Sequence, residues 1–144
     1  MSDKFLKWPS IELLHNVRKT LSHYDTSPVV AYTAKVKLHG TNAAVIICPD
    51  GTIQAQSRTQ IITPKNDNAG FAAWVKSTEA YWRSLVSDSA HVYVYGEWCG
   101  KGIQKGTALN DLPGKIFAVF AMGTDRTDLG EETLVVDPNL ITRM

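Results

Sequence analysis

The alternation of apolar and polar residues along the chain predicts a protein built largely from β-strands. Successive side chains of a strand point to opposite faces, so a half-buried strand alternates and a fully buried one is a short apolar run. Six stretches have one of these patterns: residues 29–37, 43–47, 52–58, 92–98, 115–122 and 133–136. The sequence Pro49-Asp50-Gly51 follows the second stretch and predicts the tight turn of a hairpin.

Two other stretches have apolar residues at the three- and four-residue spacing of an amphipathic helix. The first is predicted to begin at Pro9-Ser10. Its apolar stripe consists of Ile11, Leu14, Val17 and Leu21. The second stripe is rich in aromatic residues and consists of Phe71, Trp74, Val75, Thr78, Trp82 and Leu85. Asp67 or Asn68 is expected to cap the second helix. Because helices with one apolar face pack on sheets, we predict an α+β fold with antiparallel sheets flanked by helices.

Length and composition narrow the class of protein. The chain has 144 residues, enough for one domain with a sizeable core, and its net charge is only +1. Any contact with RNA must therefore come from a local patch. Cys48 and Cys99 lie far apart and form no C-x-x-C pair, so neither a zinc site nor a disulfide framework is indicated. Without an apolar run of membrane length or a signal-peptide pattern, we expect a soluble, cytoplasmic protein with no membrane partner.

The strongest chemical signal lies at the end of the first predicted strand. Lys35 and Lys37 share one strand face, and Gly40, Thr41 and Asn42 predict a turn directly after it. A lysine amine is a nucleophile only when it is neutral, and a neighbouring cation favours the neutral form. From the residues alone, a simpler interpretation remains open, in which the two lysines form a solvated strand edge that discourages aggregation.

Residues 37–42 read Lys-Leu-His-Gly-Thr-Asn. They resemble the K-x-H-G-T-N motif of ATP-dependent RNA ligases, most closely that of the bacteriophage type-2 RNA ligase family within the nucleotidyltransferase superfamily. The resemblance implies that Lys37 attacks the α-phosphate of ATP and becomes a lysine–AMP phosphoramidate. DNA ligases and capping enzymes have K-x-D-G there, so His39 matches the RNA-ligase variant. The resemblance also implies that four further residues bind the nucleotide: Lys35, His39, Gly40 and Asn42.

Two later segments resemble further motifs of that family, in the same order. Arg58, within Ser57-Arg58-Thr59, follows the predicted hairpin and matches an arginine that contacts the nucleotide. Glu97, within the Gly-Glu motif and glycine-rich tail of residues 96–104, matches the glutamate that binds the ATP ribose. A P-loop is excluded for this tail because Gly102, not Ser or Thr, follows the Gly-Lys pair. Taken alone, an arginine such as Arg58 is usually a surface residue.

A fourth match lies in the apolar stretch 115–122. Phe120 corresponds to an aromatic residue that stacks on adenine in the family, and strict alternation places it on the face opposite Phe117, Val119 and Ala121. The family often has an aspartate directly after that aromatic residue, whereas Ala121 stands there in this chain. Without the resemblance, a phenylalanine in an apolar strand is equally well explained as core.

The resemblance covers residues 30–122, and two later motifs of the family are not found in the sequence. One is an E-G-V-V-like strand that supplies a carboxylate for metal, and the other is a K-x-K strand that holds the phosphates. Lys35, Lys101 and Lys105 could replace those lysines only in part. We therefore expect residues 1–144 to form a single, incomplete nucleotidyltransferase (adenylation) domain whose C-terminal part is missing. Such a chain would bind adenine nucleotide weakly and adenylate itself poorly or not at all.

The sequence thus predicts an ATP-dependent RNA ligase with ATP and Mg²⁺ as cofactors and no identified metal ligands. In the family, AMP passes from the lysine to an RNA 5′-phosphate, and a 3′-hydroxyl then displaces it. The expected partners are RNA ends or a nicked duplex. Two alternatives remain open: another lysine nucleotidyltransferase such as a DNA ligase, or a non-catalytic nucleotide- or RNA-binding fragment. The oligomeric state is not indicated.

Overall fold

The computed structural model describes residues 5–24, 29, 31, 34–126 and 131–135. The chain forms two compact units. Trp8–Lys37 is the smaller one, and Met1–Lys7 together with Leu38–Met144 forms the larger one. No helix in these described ranges is both long enough and apolar enough to cross a bilayer.

The larger unit is built on an antiparallel sheet that has six strands in the described part of the chain. They are β1 (Gly40–Ile47), β2 (Ile53–Ser57), β3 (Ile61–Ile62), β4 (His91–Gly100), β5 (Lys115–Arg126) and β6 (Glu131–Val135). Their order across the sheet is β3-β2-β1-β4-β5-β6. Two short helices, α2 (Phe71–Ser77) and α3 (Glu79–Arg83), and the 3₁₀ helix Ala108–Asp111 complete this unit. The α+β class is therefore confirmed.

The predicted hairpin between β1 and β2 is confirmed. Gly51 has a φ of 81°, which favours glycine, and the Asp50 carboxylate accepts a hydrogen bond from the backbone N–H of Thr52 at 2.9 Å. The two strands pair from Ile47 opposite Ile53 to Ala43 opposite Ser57. The turn chemistry in the sequence therefore fixes this register.

One face of the sheet, which we call the helical face, packs against α2 and α3. Val45 of β1 and Val94 of β4 lie there, in the same apolar cluster as Phe71 and Trp82 from the two helices. A single helix is predicted over this segment, but two are found, because Thr78 lies between them in a non-helical conformation with ψ of 16°. Its hydroxyl donates to the Trp74 carbonyl at 2.9 Å.

The predicted cap of α2 is confirmed for Asp67. One carboxylate oxygen accepts a hydrogen bond from the backbone N–H of Ala72 at 2.8 Å, and the other accepts one from Ala73 at 3.0 Å. The first N–H groups of a helix have no partner within the helix, so these bonds satisfy two of them. Asp67 therefore supplies the capping side chain for the start of α2, although the N-cap residue itself is Gly70.

The opposite face of the sheet carries buried polar side chains. The rings of Tyr93 and Tyr95 on β4 are stacked with centroids 6.1 Å apart, and the Tyr93 hydroxyl donates to Asp125 of β5 at 3.3 Å. The carbonyl of Leu6 accepts hydrogen bonds from Gln56 Nε2 at 2.7 Å and from the Tyr95 hydroxyl at 3.1 Å. Each of these side chains forms at least one hydrogen bond, which lowers the cost of burying it, but Gln56 Oε1 has no partner among the described residues.

The first predicted strand, residues 29–37, is wrong in its described part. Residues 34–39 lie outside any strand, as do Val29 and Ala31, while positions 30, 32 and 33 lie outside the described residues. Val36, expected on the apolar face, is 88% exposed. Alternation alone does not form a strand, because its backbone groups need a neighbouring strand as partner. Pairing with β4 begins only at Gly40.

In the smaller unit, helix α1 spans Leu14–Leu21 and begins later than predicted. The Glu12 carboxylate accepts a hydrogen bond from the backbone N–H of Leu13, the N-cap residue, at 2.9 Å. Ile11 thus lies before the helix and is exposed. No residue of α1 is buried, so the predicted apolar stripe forms no core among the described residues of this unit.

Candidate functional site

The start of β1 and the end of β4 bring two of the sequence motifs together. These strands run antiparallel, with Gly40 opposite Cys99 and Asn42 opposite Glu97. The backbone N–H of Gly40 donates a part-buried hydrogen bond to Glu97 Oε1 at 2.9 Å. The last three residues of the lysine motif, Gly40 to Asn42, therefore meet the Gly-Glu motif at one end of the sheet, although Gly40 and Glu97 are 57 residues apart in the sequence.

The turn predicted at Gly40, Thr41 and Asn42 is wrong, because all three are the first residues of β1. A Cβ atom at Gly40 would lie 2.3 Å from the Trp98 carbonyl oxygen and 2.6 Å from Cys99 Cβ. Glycine is required here by the close approach of β4 and not by a turn. This approach allows the Gly40 N–H to reach the Glu97 carboxylate.

A loop before α2 contacts the same end of the sheet. Asn68 Nδ2 donates to Thr41 Oγ1 at 3.0 Å, next to Gly40. The carbonyl of Ala69 accepts hydrogen bonds from Trp98 Nε1 at 3.0 Å and from Lys115 Nζ at 2.7 Å. Ala69 has a φ of 53°, which is unusual for a residue with a side chain. This loop therefore ties the helix to β1, β4 and β5 at the end where the motifs meet.

The glycine-rich tail after β4 folds back onto the first motif. Gln104 Nε2 donates to the carbonyl oxygen of Gly40 at 3.3 Å. At Gly100, φ is 120°, and a Cβ atom would lie 2.4 Å from the Gly114 carbonyl oxygen. Glycine there permits the sharp departure from β4 that brings Gln104 back. The Gly40 backbone is thus held from both sides, through its N–H by Glu97 and through its carbonyl by Gln104.

Arg58 is placed beside this region by the hairpin. Ser57, the last residue of β2, pairs with Ala43, and its backbone N–H donates to the Gln60 carbonyl at 2.8 Å, so Arg58 lies in the turn directly after the strand. The Arg58 side chain is exposed, and it makes no hydrogen bond or ion pair with another described residue. Its guanidinium group is accessible to a ligand at the same end of the sheet.

Phe120 lies at an irregularity in the pairing of β4 with β5. Tyr95 is opposite Ala121, and the next residue, Gly96, is opposite Val119, so Phe120 is the extra residue of a β-bulge. The bulge shifts the alternation, and Ala121 shares a face with Tyr95 and not with Phe117. The predicted placement of Ala121 with Phe117 is therefore wrong. Phe120 itself is half-buried.

The remaining predicted residues lie just before β1. Lys35 and Lys37 are exposed and belong to the smaller unit, whereas His39 is exposed and belongs to the larger one. Within the larger unit, the structure places Gly40, Asn42 and Glu97 at neighbouring register positions of β1 and β4, and Arg58 directly after the end of β2. Phe120 lies further along β5.

Cys99 lies buried at this end of the sheet, close to Glu97. Burial raises the pKa of the Cys99 thiol, and the nearby Glu97 carboxylate raises it further. Cys99 is therefore held as a neutral thiol facing Gly40, consistent with packing and not with nucleophilic chemistry. Within the described ranges, no group of three or more His, Cys, Asp or Glu side chains could hold a metal ion.

A cleft of about 300 Å³ lies elsewhere, between β2, β3 and α2. It is lined mainly by apolar side chains, among them Ile53, Ile62 and Val75, with Lys76 and Glu79 also in the wall. None of the residues singled out by the sequence motifs lines it. The cleft is therefore separate from the end of the sheet where the motifs meet.

Comparison with known proteins decides the family. The family model described as RNA ligase matches residues 30–136, which is most of the chain. The chain belongs to the RNA ligase family. A search of curated proteins found no match. The matched range includes every RNA ligase motif that is brought together at the end of the sheet.

Two residues at this end of the sheet have contacts that sequence reasoning missed. Gln104 lies in the glycine-rich tail without a predicted role, and Asn68 is predicted only as a helix cap. Their contacts with Gly40 and Thr41 cross 64 and 27 residues of sequence, respectively. The family motif around Gln104 was a usable signal, whereas nothing in the local pattern points from Asn68 to β1.

Proposed function

We propose that this member of the RNA ligase family is an ATP-dependent RNA ligase of the bacteriophage type-2 kind, a nucleotidyltransferase that uses Lys37 as its nucleophile. The hydrogen bond between the Gly40 N–H and Glu97 is the observation that best supports the proposal. This hydrogen bond links β1, the strand that follows Lys37 in the chain, to Glu97, the carboxylate that we expect to bind the ribose of ATP. The fold would then be an adenylation domain.

In the first step, neutral Lys37 Nζ attacks the α-phosphorus of ATP. The new P–N bond forms as the bond from the α-phosphorus to the bridging oxygen breaks, pyrophosphate leaves, and the amine loses a proton to solvent. An oxygen of an RNA 5′-phosphate then attacks the same phosphorus as the P–N bond breaks, and the lysine amine leaves with a proton taken from solvent. Finally, an RNA 3′-hydroxyl attacks the activated 5′-phosphate, loses its proton and displaces AMP.

The described residues offer groups suited to the nucleotide. Arg58 presents a fork of donors that suits a ribose hydroxyl or a phosphate, and Glu97 presents a carboxylate that suits a ribose hydroxyl. We assign Lys35, His39, Gly40 and Asn42 to the phosphates and Phe120 to the adenine ring. These assignments follow the family motifs, and the shared end of the sheet supports those of Gly40, Asn42, Arg58 and Glu97.

Mg²⁺ is implied by the chemistry, since the departing pyrophosphate must be neutralised. The described residues form no cluster that would hold the ion without the nucleotide. In many phosphoryl-transfer sites, Mg²⁺ is bound by one or two carboxylates and the substrate phosphates. We therefore assign no residue of the described chain to the metal.

The direct test is the intact mass of the full chain after incubation with ATP and Mg²⁺. The proposal expects an added AMP on a fraction of the parent chain, small because the sequence predicts weak self-adenylation, and on a similar fraction of Lys65→Ala, with none on Lys37→Ala. Lys65→Ala is the matched control because it removes an exposed lysine that belongs to none of the RNA ligase motifs. AMP on Lys37→Ala would exclude Lys37 as the nucleophile. ATP binding by the parent chain without any adduct would instead favour a non-catalytic nucleotide-binding module.

RNA and DNA substrates separate the remaining enzyme classes. An RNA ligase should transfer its AMP to nicked RNA with a 5′-phosphate and seal it, while the matching DNA nick reacts more slowly. Preferential sealing of the DNA nick would contradict the proposal and favour a DNA ligase.

A further inference from the structure

The glycine-rich loop of residues 101–107 has a shape fixed by its own hydrogen bonds. The backbone N–H of Ile103 donates to the Gly100 carbonyl at 3.2 Å, and that of Gly102 donates to Asn110 Oδ1 at 2.9 Å. The Thr107 hydroxyl donates to the Gln104 carbonyl at 3.1 Å. Ile103 also packs against the core of the larger unit. The loop therefore presents its remaining side chains in a defined arrangement.

The loop is attached to the proposed catalytic end of the sheet. The hydrogen bond from Gln104 Nε2 to the Gly40 carbonyl joins its middle to the first residue of β1. A ligand that contacts the loop would thus lie next to the strand that follows Lys37 in the chain.

All charge on the loop is positive. Lys101 and Lys105 are its charged residues, both are exposed, and neither forms an ion pair with another described residue. The next acidic residue in the sequence is Asp111, at the end of the 3₁₀ helix. Gly102 and Gly106 adjoin the lysines, and no atom lies within 4 Å of the position a Cβ would take at either. The loop is therefore an open, cationic surface.

Because this surface is open, a small nucleotide and a nucleic-acid backbone differ in how well each could bind to it. A small nucleotide is bound in a cleft that buries most of its surface, whereas Lys101 and Lys105 are both exposed on an open loop. A nucleic-acid backbone, in contrast, is bound by exposed lysines that replace its counterions. We propose that Lys101 and Lys105 bind the phosphodiester backbone of the RNA substrate and dock it beside Gly40. This inference rests on the proposed RNA ligase function.

The test is binding of a fluorescently labelled, 5′-phosphorylated RNA oligonucleotide to the full chain over a series of salt concentrations. We compare the parent with Lys101→Gln, Lys105→Gln and the double variant. The logarithm of the association constant falls linearly as the logarithm of the salt concentration rises. Each lost phosphate contact should make this fall less steep, by about 0.7 for single-stranded RNA. The double variant should therefore lose about 1.4 of slope and, at low salt, on the order of tenfold or more in affinity.

Lys65→Gln is the control, because Lys65 is also exposed but follows the edge strand β3. It should leave the slope within experimental error, and a Lys101→Arg/Lys105→Arg variant should bind as the parent does. Equal binding by the parent and the double variant, or no RNA binding by the parent, would overturn the inference. So would a double variant whose defect is confined to its KM for ATP, since the lysines would then serve the nucleotide.

Self-adenylation measured on the same proteins separates the two proposals. If the double variant accepts AMP at the parent rate but binds RNA weakly, both proposals hold. If no protein is adenylated while the lysines still determine RNA affinity, the proposed function fails and the docking surface remains.

Discussion

The backbone N–H of Gly40 and the carboxylate of Glu97 form a hydrogen bond of 2.9 Å across β1 and β4. It is part-buried, so water competes with it less than at an exposed site. Hydrogen bonds to charged groups contribute about 1.5–3 kcal/mol. The same carboxylate is the group we assign to the ribose, and its structural and ligand-binding roles can be separated by mutation.

Glu97→Gln should retain folding and lose activity. The amide oxygen of glutamine can still accept the hydrogen bond from Gly40, so the free energy of unfolding should change by less than about 1 kcal/mol. The charge is lost, however, and self-adenylation should slow by about tenfold or more if the carboxylate holds the ribose. Urea unfolding and the rate of AMP incorporation measure the two effects.

Glu97→Ala is the contrasting variant, because it removes the acceptor itself and should cost about 1–3 kcal/mol of stability. If Glu97→Gln adenylates as fast as the parent, Glu97 is a structural residue only.

Gly40→Ala should destabilise the protein because there is no room for a methyl group. The added Cβ would meet the Trp98 carbonyl oxygen at 2.3 Å and Cys99 Cβ at 2.6 Å. Pushing β1 away from β4 should cost about 1–3 kcal/mol, and it would lengthen the bond to Glu97 as well.

Gly114→Ala is the matched control, because no atom lies within 4 Å of its Cβ position and its φ is not in the left-handed region. The urea concentration at which half of the Gly114→Ala variant is unfolded should stay close to that of the parent. An equal loss of stability in both variants would show that conformational freedom, and not space, is what glycine provides at position 40.

Tyr93 should make the protein less stable at alkaline pH. Burial, and then the adjacent Asp125 carboxylate, raise the pKa of its hydroxyl far above the ordinary value. Above pH about 10 the unfolded chain loses this proton while the folded chain retains it. The folded state then binds more protons, so the free energy of unfolding falls as pH rises, by up to about 1.4 kcal/mol per pH unit.

Tyr93→Phe removes this ionisation, so its stability should fall less steeply above pH about 10 than that of the parent. Urea unfolding at several pH values measures how steeply the free energy of unfolding falls with pH for each protein. Tyr81→Phe removes an exposed hydroxyl instead and should retain the parent slope. Parallel slopes for the parent and Tyr93→Phe would contradict the prediction.

Local patterns predicted the parts of the fold that depend on local chemistry. Gly51 and Asp50 fixed the hairpin turn, and Asp67 fixed the start of α2. The errors arise where a distant partner decides the conformation. Gly40 resembles a turn glycine until β4 is seen beside it. The bulge at Phe120 likewise depends on the register with β4, which no pattern within residues 115–122 specifies.

In the candidate site, too, the features that depend on distant partners were not predicted from local patterns. Glu97 and Arg58 were identified only through motifs of the RNA ligase family, because a single carboxylate or arginine at the end of a strand has no distinctive pattern. The contacts of Gln104 and Asn68 join residues far apart in the sequence. The resemblance to the family therefore supplies the candidate residues of the site, whereas its supporting contacts follow from no local pattern in the sequence.

Arg58 provides the last prediction, and its test separates ligand binding from stability. Its side chain is exposed and has no hydrogen bond or ion pair with another described residue, so Arg58→Ala should change the free energy of unfolding by less than about 0.5 kcal/mol. If its guanidinium group holds the nucleotide, the KM for ATP in self-adenylation should rise about tenfold or more.

Two further variants complete this test. Arg58→Lys keeps the charge but not the fork of donors, so it should recover only part of the loss. Arg83→Ala removes an arginine that pairs with Glu79 on the surface and should leave the KM for ATP unchanged. Full activity of Arg58→Ala would remove Arg58 from the site. Full recovery by Arg58→Lys would instead show that position 58 contributes charge alone, because a lysine cannot reproduce the paired hydrogen bonds of a guanidinium group.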